Sequence, residues 1–194
     1  MKHYFLGAAA NYTRKERLAH LFAVGRKKDC LALKTYLNHK YAGETILAKN
    51  GRSALAMALL AYFEPGDGIL VNGFTCYAVY EAIREARLVP IFVDIKKKDL
   101  NFGVKELQNA WARGDEKSSA TSSGSEKTRK IAGIIIQNTL GNPVEISSIE
   151  QFAKKHALTI IEDLAHCTGV KYPDGREVGT IGAATVLSFG KDKS

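Results

Sequence analysis

Short apolar segments alternate with longer amphipathic segments along this chain, and this alternation is the feature that most constrains its fold. The apolar segments are Ile69 to Val71, Leu88 to Ile95, Ile131 to Ile136, Leu158 to Ile161 and Ala184 to Leu187. A short segment that is apolar throughout is typical of a strand buried on both faces, and strands separated by helices pair in parallel. The sequence therefore predicts an α/β fold, a three-layer sandwich in which helices cover both faces of a mostly parallel sheet.

The segments between these strands have apolar residues at helical spacing. We expect helices over residues 13 to 41, with a break at Gly25 and Asp29, and over Ala54 to Phe63, Ala78 to Arg87, Val104 to Arg113 and Ile146 to His156. The helix from Ala54 is almost wholly apolar, which predicts that it is buried. A further short strand is expected at Ile46 to Ala48, just before the turn that leads into this helix.

Residues 114 to 129 differ in composition from the rest of the chain. The stretch from Gly114 to Glu126 is rich in serine and has no apolar anchor. Such a composition favours a flexible surface loop. Because strand and helix resume in the expected order after it, we interpret it as an insertion and not as a domain boundary.

Composition argues against several classes of function. The 194 residues are 45% hydrophobic and 25% charged, as in one globular domain or most of one. No apolar run is long enough to cross a membrane. The formal charge of +8 comes from dispersed basic residues without interleaved aromatic ones, so neither nucleic acid nor a membrane is an expected partner. Three widely spaced cysteines fit a reducing cytoplasm better than a disulfide framework or a zinc site.

The strand that ends at Ile161 runs directly into a group of polar residues. Glu162 and Asp163 follow it, and His166 comes three residues later. In an open α/β sheet, the carboxyl ends of the strands form the edge where ligands bind. Period-two alternation favours Asp163 as the carboxylate that faces the ligand, with Glu162 as the alternative.

The last apolar strand leads into a hydroxyl and two amines. Ser188 follows it, and Lys191 and Lys193 come next. A lysine and a carboxylate at one sheet edge suggest pyridoxal phosphate, because this cofactor forms a Schiff base with lysine and needs an acid to keep its ring nitrogen protonated. By chemistry alone, either lysine would serve.

The turn before the apolar helix is a candidate phosphate site. It contains Gly51, Arg52 and Ser53, and it leaves backbone N–H groups exposed at the start of a helix, where phosphate binds well. Arg52 would pair with a phosphate directly. The alternative is that Ser53 simply caps the helix. No Gly-x-Gly-x-x-Gly motif opens a helix here, which argues against a dinucleotide site.

Taken in order, these motifs resemble those of the DegT/DnrJ/StrS sugar aminotransferases, which are fold type I pyridoxal-phosphate enzymes. The matching pieces are Glu-Asp-x-Ala-His at 162 to 166, Gly-Thr-x-Gly at 179 to 182 and Ser-Phe-x-x-x-Lys at 188 to 193. The resemblance covers about residues 44 to 193. It implies an N-terminal helical arm at 1 to 43 and a cofactor-binding large domain, incomplete at its C-terminus, at 44 to 194.

The resemblance also implies a role for each site residue. Asp163 would hold the pyridinium nitrogen, and Lys193 would be the Schiff-base lysine and later the general base. His166 and Asn138 match positions near the phenolic oxygen of the cofactor, although Asn138 stands where the family commonly has histidine. The residues that match the phosphate site are Gly51, Arg52, Ser53 and Ser188. Because Cys76 stands where the family has an aromatic ring, Tyr77 or Phe74 would have to stack on the pyridine.

The implied reaction transfers an amino group from an amino acid such as glutamate to a keto-sugar, linked to a nucleotide in most of the family. Family members continue well past Lys193, so the resemblance indicates a truncated or split enzyme. Its expected partner is a second copy when full length, giving a homodimer, or a complementing C-terminal half. The alternative is a catalytically silent remnant or interaction module that keeps the fold.

Overall fold

The computed structural model of the chain describes residue 18 and residues 27–119 and 130–189. We number the elements of these residues in chain order. The helices are α1 Lys27–Tyr41, α2 Gly51–Tyr62, α3 Tyr77–Glu85, α4 Val104–Ser119 and α5 Ile146–Lys155, with a 3₁₀ turn at Thr139–Gly141. The strands are β1 Gly68–Asn72, β2 Val89–Val93, β3 Ile131–Ile136, β4 Thr159–Asp163 and β5 Ala184–Val186. None of the helices in this part of the chain is long and apolar enough to cross a membrane.

The strands form one sheet in the order β2-β1-β3-β4-β5, and every neighbouring pair is parallel. The α/β sandwich that the alternation predicts is therefore confirmed. Because the strands are parallel, their carboxyl ends lie at one edge of the sheet. The polar residues that follow β3, β4 and β5 are brought together there.

Side chains of each strand alternate between two separate cores. Ile134, Ile136 and Ile160 face the layer of α4 and α5. Ile135 and Ile161 face the layer of α2 and α3. Successive side chains of a strand point to opposite faces, so this alternation also decides which layer each polar residue at a strand end faces.

The segment before α2 differs from the prediction. Residues 46–48 are irregular, and Ile46 and Leu47 are 68% and 46% exposed. No strand in the described part of the chain pairs with this short run, so its apolar residues have no sheet to join. The helix α2 is also less buried than its composition predicts, because Met57 and Leu60 on its outer side are exposed.

The helix α4 continues to Ser119, into the stretch predicted to be a loop. Gly114 lies inside this helix, and a Cβ atom there would lie 2.7 Å from Cδ1 of Ile131. The missing side chain lets the helix pack closely against the start of β3. Sequence composition does not predict a close contact between a helix backbone and a strand. Residues 120–129 of the predicted insertion lie outside the described residues, as does the predicted helix before α1 except for Leu18.

Candidate active site

A cavity of about 410 Å³ lies at the carboxyl edge of the sheet, against the first turns of α2 and α3. Its polar lining comes from strand ends and from the turn before α2, and its apolar lining comes from the helices and β5. The lining residues are Asn50, Gly51, Arg52, Leu55, Cys76, Ala78, Val79, Gln137, Asp163, Ala165, His166, Val186 and Ser188. A volume of this size is typical of a site for a small organic ligand.

Asp163 lies at the end of β4 and lines this cavity. Its side chain is only 7% exposed. One carboxylate oxygen, Oδ1, accepts a hydrogen bond of 3.1 Å from the N–H of Ala165, and Oδ2 accepts one of 3.4 Å from Nε2 of Gln137. The structure therefore holds an acid at the edge of the sheet, as the alternation of β4 predicts.

Glu162, the alternative carboxylate, faces the opposite layer and is fully buried. Its Oε1 accepts hydrogen bonds from the hydroxyl of Tyr172 at 2.6 Å and from the N–H of Gly179 at 2.7 Å. Its Oε2 accepts from the N–H groups of Ile181 at 2.8 Å and Gly182 at 2.6 Å. Glu162 thus fixes the segment that leads into β5, and it does not line the cavity.

The polar surroundings of Glu162 extend to a second buried hydroxyl and a thiol. Burial, together with the Glu162 carboxylate, raises the pKa of the Tyr172 hydroxyl, so that it stays a proton donor to Oε1. Burial also raises the pKa of the Cys167 thiol to about 12. Cys167 donates a weak hydrogen bond of 3.6 Å to the carbonyl of Gln137. This side of the sheet edge is closed by buried polar groups that bond to one another and to the backbone.

The first turn of α2 contributes two of the three residues predicted there. Gly51 and Arg52 line the cavity, and Arg52 forms an ion pair with Glu81 of α3. Ser53 does not line it. The helix is capped by Asn50, whose Oδ1 accepts a hydrogen bond of 2.8 Å from the N–H of Ser53, so the interpretation of Ser53 as the cap is wrong.

Ser188 lies beside the start of α2. A Cβ atom placed on Gly51 would be 3.4 Å from Oγ of Ser188, so the backbone of α2 and this hydroxyl approach each other closely. Both residues line the cavity. The structure therefore brings together Gly51 and Ser188, two of the residues predicted for the phosphate site. Lys191 and Lys193, which follow Ser188, lie outside the described residues.

Asn138 was expected to face the cofactor, but it does not line the cavity. It is fully buried in the left-handed conformation, at φ 49° and ψ 62°. Its Oδ1 accepts from the N–H of Val144 at 2.9 Å, and its Nδ2 donates to the hydroxyl of Tyr172 at 3.3 Å. Both ends of the Asn138 side-chain amide therefore form hydrogen bonds on the closed side of the sheet edge.

Gln137 is the residue of this strand end that lines the cavity, and sequence reasoning missed it. A usable signal exists. In the parallel pairing of β3 with β4, Ile136 lies opposite Glu162, so the next residue along, Gln137, lies opposite Asp163 and shares its face.

The two aromatic candidates for stacking lie away from the cavity lining. Tyr77 is 69% exposed, and its ring stacks on Tyr80 with centroids 5.6 Å apart. Phe74 is 54% exposed and does not line the cavity either. The segment 76–79 reaches the cavity through Cys76, Ala78 and Val79. His166 lines the cavity and is exposed.

Comparison with known proteins gives a family match over most of the chain. A sequence model of the DegT/DnrJ/EryC1/StrS aminotransferase family matches residues 31–194. A pleiotropic regulatory protein of Geobacillus stearothermophilus is 32% identical over 141 residues, which are 72% of this chain and 33% of that protein. GDP-perosamine synthase of Escherichia coli O157:H7 is 30% identical over 158 residues, which are 81% of this chain and 38% of that protein. The chain thus spans little more than a third of the length of these curated relatives.

Solved structures resemble the fold. The X-ray structure of an aminotransferase from Psychrobacter cryohalolentis superimposes with a TM-score of 0.73 at 24% sequence identity. The match covers 94% of this chain and 44% of that one. At this identity the likeness establishes a common fold, and the chemistry must be argued from the cavity.

Proposed function

Because this chain belongs to the DegT/DnrJ/EryC1/StrS aminotransferase family, we propose that it carries the cofactor-binding part of a pyridoxal-phosphate-dependent sugar aminotransferase. The observation that carries the proposal is one cavity with Asp163 and Gln137 at the sheet edge, and Gly51, Arg52 and Ser188 around the start of α2. An acid and a phosphate-type site lining a single cavity suit a ligand that has both a basic ring nitrogen and a phosphate.

The residues present fit such a ligand. Leu55, Val79 and Val186 supply apolar walls between the polar groups, as a flat ring requires. The Oε1 atom of Gln137 is buried without a hydrogen-bond partner among the described residues. A buried acceptor in this state costs free energy unless a ligand supplies a donor. These features indicate a site shaped for a partly polar, partly aromatic molecule.

When bound, pyridoxal phosphate supplies an aldehyde that reacts with amines and a ring that accepts electrons. Asp163 is proposed to hold the proton on the ring nitrogen. Its carboxylate is largely removed from water, and a charge-assisted hydrogen bond is stronger in such surroundings. His166, an exposed residue of the cavity lining, is proposed to contact the phenolic oxygen.

The start of α2 is proposed to hold the phosphate. Gly51 brings backbone close to Ser188, whose hydroxyl donates to a phosphate oxygen, and the helix N-terminus favours an anion. Arg52 is paired with Glu81, so it would have to exchange this partner for the phosphate or share itself between the two. We therefore assign Arg52 a supporting role, and Ser53 none, since its N–H already donates to Oδ1 of Asn50.

Lys193 is proposed as the lysine that attaches the cofactor covalently and that, once released, moves the proton required for amino transfer through its Nζ atom. The support is its spacing of five residues from Ser188, since Ser188 lines the cavity. Lys191 is two residues closer in sequence and serves as the matched alternative.

The proposed amino donor is an amino acid such as glutamate, and the proposed acceptor is a keto-sugar linked to a nucleotide. The name of the Escherichia coli relative, GDP-perosamine synthase, supports a sugar nucleotide. A second copy of the full-length protein or a complementing C-terminal half is the proposed partner. The exposed apolar side chains of Met57 and Leu60 on α2 and of Ile46 and Leu47 before it support such a contact.

Borohydride reduction tests the proposal. The chain is incubated with pyridoxal phosphate, reduced and digested, and the modified lysine is identified by mass spectrometry. We expect the adduct at Lys193 in the wild type and in Lys191→Ala, and its loss in Lys193→Ala. Modification spread over surface lysines, with none at Lys193, would contradict the proposal and favour a silent remnant of the fold.

A further inference from the structure

Gln137 stands out among the cavity residues because its side chain is both buried and incompletely bonded. It is 9% exposed, and it follows the last residue of β3 directly. Its Nε2 atom donates to Oδ2 of Asp163 at 3.4 Å. Its Oε1 atom has no hydrogen-bond partner among the described residues.

The orientation of this amide follows from the chemistry of its neighbour. An ionised carboxylate only accepts hydrogen bonds, so the NH₂ group of Gln137 must be the end that faces Asp163. The carbonyl end, Oε1, is then directed away from that carboxylate. Turning the amide over would place two acceptors against each other and would still leave the donor end without this contact.

A purely structural role does not account for this arrangement. Asn138, the next residue, uses both ends of its amide within the protein, with Val144 and Tyr172 as partners. A structural glutamine at 137 would be expected to do the same. A buried acceptor that is left without a donor beside a cavity is instead what a ligand-binding side chain shows before its ligand is bound.

We propose that Gln137 is a positioning residue of this site, whose Nε2 fixes the orientation of the Asp163 carboxylate and whose Oε1 accepts a hydrogen bond from the bound ligand. The second half of this role rests on the proposed function, with pyridoxal phosphate as the ligand. The first half depends only on the contact between Gln137 and Asp163. The two halves are therefore tested separately.

The first experiment uses the chain without added ligand. The Asp163 carboxyl is titrated by ¹³C NMR in the wild type, in Gln137→Met and in Gln151→Met. Gln151 lies on the exposed side of α5, so the same substitution at this position is a matched control. Loss of a donor to the ionised form raises the midpoint of the titration, and we expect a shift of about 0.5 pH unit in Gln137→Met and none in the control.

The ¹³C signals distinguish the Asp163 carboxyl from the other titrating groups near it. They are Glu162 beside it, Cys167 on the closed side and His166 in the cavity lining. A second variant, Gln137→Glu, keeps the size of the side chain and places a second carboxylate beside Asp163. We expect it to raise the midpoint further than Gln137→Met, because like charges disfavour ionisation. An unchanged midpoint in both variants would overturn the positioning role.

The second experiment measures the dissociation constant of pyridoxal phosphate for the same proteins by absorbance titration. We expect Gln137→Met to bind about fivefold more weakly than the wild type, since one neutral hydrogen bond is lost, and Gln151→Met to bind equally well. Equal binding by Gln137→Met would overturn the ligand contact. Absence of binding to the wild type itself would contradict the proposed function and the ligand contact together, and the Asp163 titration would still decide the positioning role.

Discussion

Glu162 and Asp163 are consecutive residues at the end of one strand, and their side chains lie on opposite faces of the sheet. Glu162 faces the layer of α4 and α5, where one hydroxyl and three backbone N–H groups bind it at 2.6 to 2.8 Å. Asp163 faces the layer of α2 and α3, where it accepts hydrogen bonds of 3.1 Å from the N–H of Ala165 and 3.4 Å from Nε2 of Gln137, and it lines a cavity. Burial of a carboxylate therefore does not by itself mark a functional site. What separates the two is that Asp163 lines a cavity and Glu162 does not.

The largest effect is expected on stability, when the hydrogen bonds of the closed side are removed. Replacing Glu162 by alanine leaves the hydroxyl of Tyr172 and three backbone N–H groups without their acceptor in a buried region. We expect Glu162→Ala to lower the free energy of unfolding by about 4 kcal/mol in urea denaturation. The exposed residue Glu145 offers the control, and Glu145→Ala should change stability by no more than about 0.5 kcal/mol. Equal effects of the two substitutions would remove the basis of the comparison.

The reactivity of the cysteine thiols distinguishes the closed side of the sheet edge from the cavity side. Burial raises the pKa of Cys167 to about 12, so its reactive thiolate is scarce at pH 8 and becomes abundant only as the pH approaches that value. We expect iodoacetamide to modify Cys167 at least about 100-fold more slowly than the exposed Cys30, as followed by mass spectrometry. Cys76 is exposed and lines the cavity, so pyridoxal phosphate should protect it and leave Cys30 unprotected. Fast labelling of Cys167 would show that the closed side opens readily.

A neutral residue at 163 should affect ligand binding much more than folding. Asp163→Asn keeps the shape of the side chain but removes the charge that is proposed to hold the ring nitrogen. We expect pyridoxal phosphate to bind about 30-fold more weakly in an absorbance titration. We also expect the free energy of unfolding to change by less than about 1 kcal/mol. Asp94→Asn, at a largely exposed carboxylate, is the control for both measurements. A loss of stability as large as that of Glu162→Ala would mean that both acids are structural.

The smallest effect is expected at the other end of the cavity. Gly51→Ala places a methyl group 3.4 Å from Oγ of Ser188, where the phosphate is proposed to bind. We expect pyridoxal phosphate to bind about fivefold more weakly, with little change in stability, since alanine is a better helix former than glycine. At Gly43 an added Cβ atom would meet only the carbonyl oxygen of Tyr41 at 3.7 Å, so Gly43→Ala serves as the control. Unchanged binding in Gly51→Ala would place the phosphate elsewhere.

The sequence was sufficient to predict the sheet and to predict which of the two acids, Asp163 or Glu162, faces the cavity. The sheet follows from short apolar segments that alternate with helical ones, and the side on which Asp163 lies follows from period-two alternation within a strand. The interpretation of Asn138 as a cavity residue is not supported by its position, because it relied on a motif position and ignored the same alternation. A shift of one residue moves a side chain to the other face of the sheet, and here that shift separates Asn138 from Gln137.

Other features depended on contacts that no local pattern contains. The run at Ile46 to Ala48 is apolar enough for a strand, but a strand needs a neighbour, and the described chain provides none there. Gly114 lies within α4 where the helix approaches Ile131, a contact between two separate elements that local composition does not contain. Arg52 was expected to be available for phosphate, and its pairing with Glu81 depends on how α2 packs against α3.

The most direct test of the account is a crystal structure of the chain with pyridoxal phosphate, in which the distance from the ring nitrogen to each of the two carboxylates is measured. We expect the ring nitrogen to lie about 2.6 to 3.2 Å from an oxygen of Asp163, with the carboxylate of Glu162 still bonded to Tyr172 and to the backbone. A cofactor bound outside the cavity would contradict the assignment of the cavity as the cofactor site. A ring nitrogen beyond hydrogen-bond distance of Asp163 would contradict the role proposed for this residue.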